Sequence, residues 1–119
     1  MNKIEVCTRE LLKHGLDDWV QAAEVVSIII TMHLASEDAE IRRVFLEAVR
    51  QVLDRGFMEI GDLTDNGFRA WPENPQDSLE RLTKSWDALN RKPGLWEMCW
   101  LNNTALGDQL AKQDLESNP

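Results

Sequence analysis

The chain has 119 residues, 43% hydrophobic and 29% charged, with six Gly and four Pro. That composition fits one globular domain and excludes a disordered or collagenous chain. Thirteen Lys and Arg stand against twenty-one Asp and Glu, a formal net charge of −8. Such a balance opposes contact with a phosphate backbone and favours encounter with a basic partner.

Residues 3–13 carry Ile4, Cys7, Leu11 and Leu12 at helical spacing, and His14-Gly15 reads as the stop of that helix. Asp18 with Gln21 three residues on has the form of a capping box. The helix predicted from there to Leu34 is apolar on nearly every side, through Val20, Val25, Val26, Ile28, Ile29 and Ile30. It calls for a central place in the domain or for a dimer interface. It is interrupted by Gln21, Glu24, Ser27, Thr31 and His33, so it does not read as a membrane span. Ser36 is the expected cap of the next helix, whose apolar stripe is Ile41, Val44, Phe45, Ala48, Val49, Val52 and Leu53, closed by Arg55-Gly56.

Beyond Gly56 the period changes. Residues 57–60 are β-compatible, Thr64-Asp65-Asn66-Gly67 is a strong turn signal, and residues 68–71 read as extended. Asn74-Pro75 starts a helix through Leu79, Leu82, Trp86 and Leu89. After the turn Arg91-Lys92-Pro93-Gly94, residues 95–101 read as a strand with Trp96, Met98 and Trp100 on one face. Thr104 caps a last short helix. The expectation is a single domain over residues 1–114 with a flexible tail at 115–119: mainly α, with two short antiparallel strands and an inserted helix.

The chemistry-bearing residues are few. Cys7 and Cys99 lack C-x-x-C spacing and fall in apolar patterns, so they read as buried, inert thiols. His14 and His33 are the only histidines, and neither belongs to a catalytic or metal motif. Asp62, Thr64, Asn66, Gly67 and Glu73 come near calcium-loop spacing, but Arg69 and Pro72 stand in the wrong places, and an ordinary Asp-Asn-Gly turn is the expectation. No enzyme, cofactor or metal site is predicted. The N-terminus has no apolar run of the signal-peptide kind, and a soluble cytoplasmic protein is expected.

Candidate partner-binding residues are Glu59, Asp62, Asp65 and Trp71. An acidic rim beside an aromatic side chain suits capture of a basic protein. Trp71 has no periodic role, and reads either as a lid over the core or as an exposed anchor. A second candidate face is Arg42, Arg43 and Arg50 on the predicted third helix, where Glu40, Glu47 and Asp54 at i,i+3 and i,i+4 spacing offer internal pairing.

Two segments carry a resemblance. Val52-Leu53-Asp54-Arg55-Gly56-Phe57-Met58-Glu59-Ile60-Gly61 resembles the passage from the third helix into the first wing strand of a winged-helix domain. Trp100-Leu101-Asn102-Asn103-Thr104-Ala105-Leu106-Gly107-Asp108-Gln109-Leu110 is similar to the second wing strand entering the last helix. The resemblance implies a winged-helix-like domain with an insertion over 64–94, and the family's role would be DNA-binding regulation. Charge points elsewhere, because the wing would carry Glu59, Asp62 and Asp65 towards the backbone phosphates. In size, acidity and lack of catalytic motifs the chain is similar to the small immunity proteins of bacterial toxin systems. The leading expectation is therefore a non-enzymatic module that neutralises a basic protein. A DNA-binding regulator and a dimeric accessory protein are the alternatives.

Overall fold

The computed structural model describes residues 1–117. Helix α1 (Lys3–Asp17) is followed by strand β1 (Val20–Gln21), α2 (Ala22–Thr31) and α3 (Asp38–Asp54). Then come β2 (Met58–Thr64), β3 (Gly67–Ala70), α4 (Pro75–Leu89), β4 (Trp100–Asn103) and α5 (Ala105–Ser117). The fold is mainly helical, as expected, but its strands form a four-stranded antiparallel sheet in the order β1-β4-β2-β3, not a two-stranded one. Among the described residues no helix is long and apolar enough to cross a membrane.

Helix α1 runs through Gly15 instead of stopping there. Gly15 is a notch: a Cβ at this position would collide with the Asn103 side chain, whose Nδ2 donates to Leu12 O at 2.9 Å and to Asp108 Oδ1 at 3.0 Å. The expected capping box at Asp18 is also displaced. Val20 and Gln21 pair with Leu101 and Trp100, so the chain is extended where a helix start was predicted. Asp18 Oδ1 accepts from Trp19 N–H instead. A non-local ladder has overridden a local signal.

Helix α2 ends in a Schellman arrangement, with Leu34 N–H donating to Ile29 O and His33 N–H to Ile30 O, and with His33 at φ +58°. The N-cap of α3 is Glu37, one residue after the expected Ser36. All seven residues of the predicted α3 stripe are buried. Gly56, at φ +70°, closes α3 with the same bond pattern. Asn74 caps α4 by accepting from Asp77 N–H, with Pro75 at the first helical position, as the sequence predicts. Helix α5 continues through Leu115–Ser117, so that part of the predicted tail is helical, while residues 118–119 lie outside the described residues.

The inner sheet face presents Val20, Leu101, Met58 and Ile60 to a core shared with α1, α2 and α3. Helix α4 lies against α3, where the Phe45 and Trp86 rings stand 4.9 Å apart. At the start of α5, Thr104 Oγ1 accepts from Gly107 N–H, and Gly107 rests on Phe57 O, with which its Cβ would collide. Gly107→Ala should therefore lower stability by about 1–3 kcal/mol despite the better helix propensity of Ala. Urea unfolding of the variant checks this, and an unchanged midpoint would mean that α5 shifts freely.

Candidate functional site

The outer sheet face is built by strand alternation. In β2, Glu59 and Gly61 face outward, opposite Asn102 and Trp100 of β4, and Trp100 in turn neighbours Gln21 of β1. Continuing the register by one residue sets Trp19 alongside Asn102 and Glu59. The β2–β3 hairpin turns at Asp65-Asn66, with Gly67 at φ +100° and Thr64 Oγ1 donating to Gly67 O. Trp19 lies against Gly67 and reaches the Phe68 ring at 6.2 Å between centroids. The hairpin tip is thus folded back towards the start of β1, although β1 and β3 are at opposite ends of the strand order. Gly61 lets the β3 backbone come close to β2, since a Cβ there would collide with Arg69 O.

These contacts set Trp19, which follows Asp18, against the hairpin that carries Asp65, while Glu59 pairs with Asn102 on the same outer face. A shallow hollow of about 390 Å³ opens there, lined in part by Asp17, Asp18, Trp19, Asn102 and Asp108. Among the described residues none of Asp17, Asp18, Glu59, Asp65 or Asp108 has a cation within ion-pair distance.

Two predicted site residues are placed differently. Trp71 is only 8% exposed and lies beneath Arg81, whose guanidinium carbon is 3.8 Å from the ring centroid. It is the lid of the core and not an exposed anchor. Asp62 is exposed but shares Arg81 with Glu73, at 3.8 and 3.1 Å, so part of its charge is neutralised. The near-calcium spacing resolves into the hairpin turn plus this ion pair. Among the described residues, no three His, Cys, Asp or Glu side chains gather as a metal would require.

The alternative face is internally balanced. Arg42 binds Asp87 of α4 through two bonds of 3.2 Å, Arg43 binds Glu40 at 2.6 and 3.0 Å, and Arg50 binds Glu47 at 2.7 Å and Asp54 at 3.4 Å. The hydrogen bond from Arg43, then that from Lys3, holds the Glu40 carboxyl down at about 2. The thiols of Cys7 and Cys99 are free and buried, and burial pushes both up to about 12, so neither is a nucleophile at neutral pH. His14 Nδ1 is 2.9 Å from Glu24 Oε2, an α1–α2 bridge.

Sequence reasoning missed the segment between Gly94 and Trp100. It was predicted as strand, yet the strand begins only at Trp100, because Trp96 and Met98 adopt φ +70° and +73°. Glu97 N–H donates to Gly94 O, placing Trp96 at the third position of a tight turn, where Gly is the usual residue. Cys99 N–H donates to Glu97 O across Met98, a γ-turn of the strained, positive-φ kind. The outcome is that Trp96, expected on one strand face with Met98 and Trp100, is 70% exposed and Leu95 is 69% exposed. Glu97 clamps the turn: its carboxylate accepts from both Arg91 nitrogens at 2.7 and 2.8 Å and from Gly94 N–H at 2.6 Å. Gln21 Oε1 ties it to the sheet by accepting from Trp96 N–H at 2.8 Å. The only sequence signal for the turn was Pro93-Gly94, and the alternation of Trp96, Met98 and Trp100 masked it.

The Arg91 and Gly94 bonds hold the Glu97 carboxyl down at about 2, below the usual carboxylate range. A depressed folded value stabilises the turn above the ordinary carboxylate range, and the contribution is lost as pH falls through the folded value. The Trp96 indole resonance should therefore hold its position from pH 7 to about pH 4 and move only on further acidification. Movement between pH 7 and 5 would show that another group controls the turn.

No protein family, curated protein or solved structure matches this chain.

Proposed function

We propose that the chain is a non-enzymatic protein-binding module whose partner is basic, in the manner of the small acidic immunity proteins of toxin systems. The observation that carries this reading is the division of charge. The three α3 arginines that could have met an acidic partner are bound to the chain's own carboxylates. The acids at the hairpin end, Asp17, Asp18, Glu59 and Asp65, have no such partner among the described residues. A face with one sign of charge uncompensated attracts the opposite sign and speeds association. The raised thiols and the engaged His14 are in keeping with a role outside catalysis.

The element order, with α3 leading into β2 and β4 leading into α5, is in keeping with the winged-helix resemblance, with β3 and α4 as the insertion. A DNA-binding regulator is nevertheless the weaker reading. The helix that would read the groove has spent its arginines and is flanked by α4, and the wing is acidic. Self-association through the hairpin end is opposed by like charge.

Co-purification of the untagged chain from its own cells tests the reading. A basic protein should be retained at low salt and released as salt rises, and no duplex DNA should bind at physiological salt. Retention of duplex DNA with a steep salt slope would overturn it in favour of the regulator.

A further inference from the structure

We propose that Trp96 and Trp100 form the anchor of the partner site, holding an arginine or lysine side chain of the basic protein against their ring faces. This rests on the proposed basic partner and specifies where its cation goes. The two rings stand 5.6 Å apart between centroids, inclined at 49°, so they diverge as an open pair instead of stacking flat. Trp96 is held in solvent by a backbone conformation that a bulky residue rarely adopts, and strain of this kind gathers at ligand-contacting sites. Trp100 is directly opposite Gly61, which carries no side chain, and Glu59 is one step further along the same outer face. An exposed indole against a half-buried one, on the same sheet face as an uncompensated carboxylate, is a cation site without its cation.

The chain contains an internal example of the same chemistry. Arg81 lies on the Trp71 ring at 3.8 Å while Glu73 and Asp62 hold its guanidinium. At Trp96 and Trp100 the rings and Glu59 are present, and among the described residues no cation of the chain stands over either ring. Arg91, whose partner Glu97 follows Trp96 in the chain, is committed to the clamp that supports the turn. The occupant is therefore a basic group from outside. A second copy of this chain would bring further negative charge to an acidic rim, which argues against a homodimer here.

The probe is an acetylated tetra-arginine amide, titrated at low salt against ¹⁵N-labelled protein while the indole N–H signals are followed. Each signal is assigned by single Trp substitution. The peptide should move the Trp96 and Trp100 signals and leave the buried Trp86 signal in place. Trp96→Ala should weaken binding tenfold or more with the Trp86 signal unchanged, which reports an intact core. Glu59→Gln should weaken binding by a smaller factor. If Trp96→Ala binds as well as the wild type while charge removal at Glu59 and Asp65 abolishes binding, the anchor is refuted and the basic-partner reading stands. If the wild type does not bind the peptide at all, both fall.

Discussion

Phe45→Ala should lower the unfolding free energy by about 3–5 kcal/mol, the range for truncating a buried aromatic in a packed core. Phe45 is 0% exposed at the middle of α3 and meets Trp86 of α4, itself 6% exposed. The two side chains are the seam on which α4 rests, so the loss combines transfer free energy with a cavity that α4 can close only by moving. A single domain of this size has about 5–15 kcal/mol in total, so the variant should unfold at a much lower urea concentration. Amide exchange should accelerate first in α4. A loss below about 1 kcal/mol, outside the range for such truncations, would mean that α4 is not packed as described.

Trp96→Gly should give the opposite pattern for an equally drastic change. Removing an indole from a core costs about 3–5 kcal/mol, but this indole is largely in solvent, and its backbone is in the left-handed region. A non-Gly residue there carries a penalty of about 1–2 kcal/mol, which Gly relieves. The gain is offset by the greater freedom of Gly in the unfolded chain and by the lost contact with Trp100, each about 1 kcal/mol. Stability should therefore stay within about 1 kcal/mol of the wild type, while partner affinity falls by about tenfold or more. A large loss of stability, read from thermal unfolding, would identify Trp96 as a structural residue.

The α3 stripe was legible because its apolar residues recur at the helical period and every one of them is buried. The Asn74-Pro75 start of α4 and the Gly56 stop of α3 were legible for the same reason, since each is a local signal answered by a local bond. What was hidden depends on contacts from distant parts of the chain. Val20-Gln21 looks like a helix entry until Trp100 and Leu101 are laid beside it. Gly15 looks like a stop until the Asn103 side chain occupies its notch. The same holds for the candidate site. Glu59 and Asp65 were named from charge alone, and both are exposed and without an ion-pair cation among the described residues. Of the two roles open to Trp71, Arg81 closing over its ring selects the lid, while a strained turn ejects Trp96 from its strand face.

The most direct measurement is the association rate of the chain with its co-purified partner, compared between wild type and Glu59→Lys/Asp65→Lys across a salt series. Both side chains are exposed and free of ion pairs among the described residues, so the reversals should change folding stability by less than about 0.5 kcal/mol. A basic partner predicts slower association for the variant at low salt, with the two rates converging as salt screens the charges over a Debye length of about 10 Å at 0.1 M. Equal rates at low salt, or faster association for the variant, would contradict capture of a basic protein by this face.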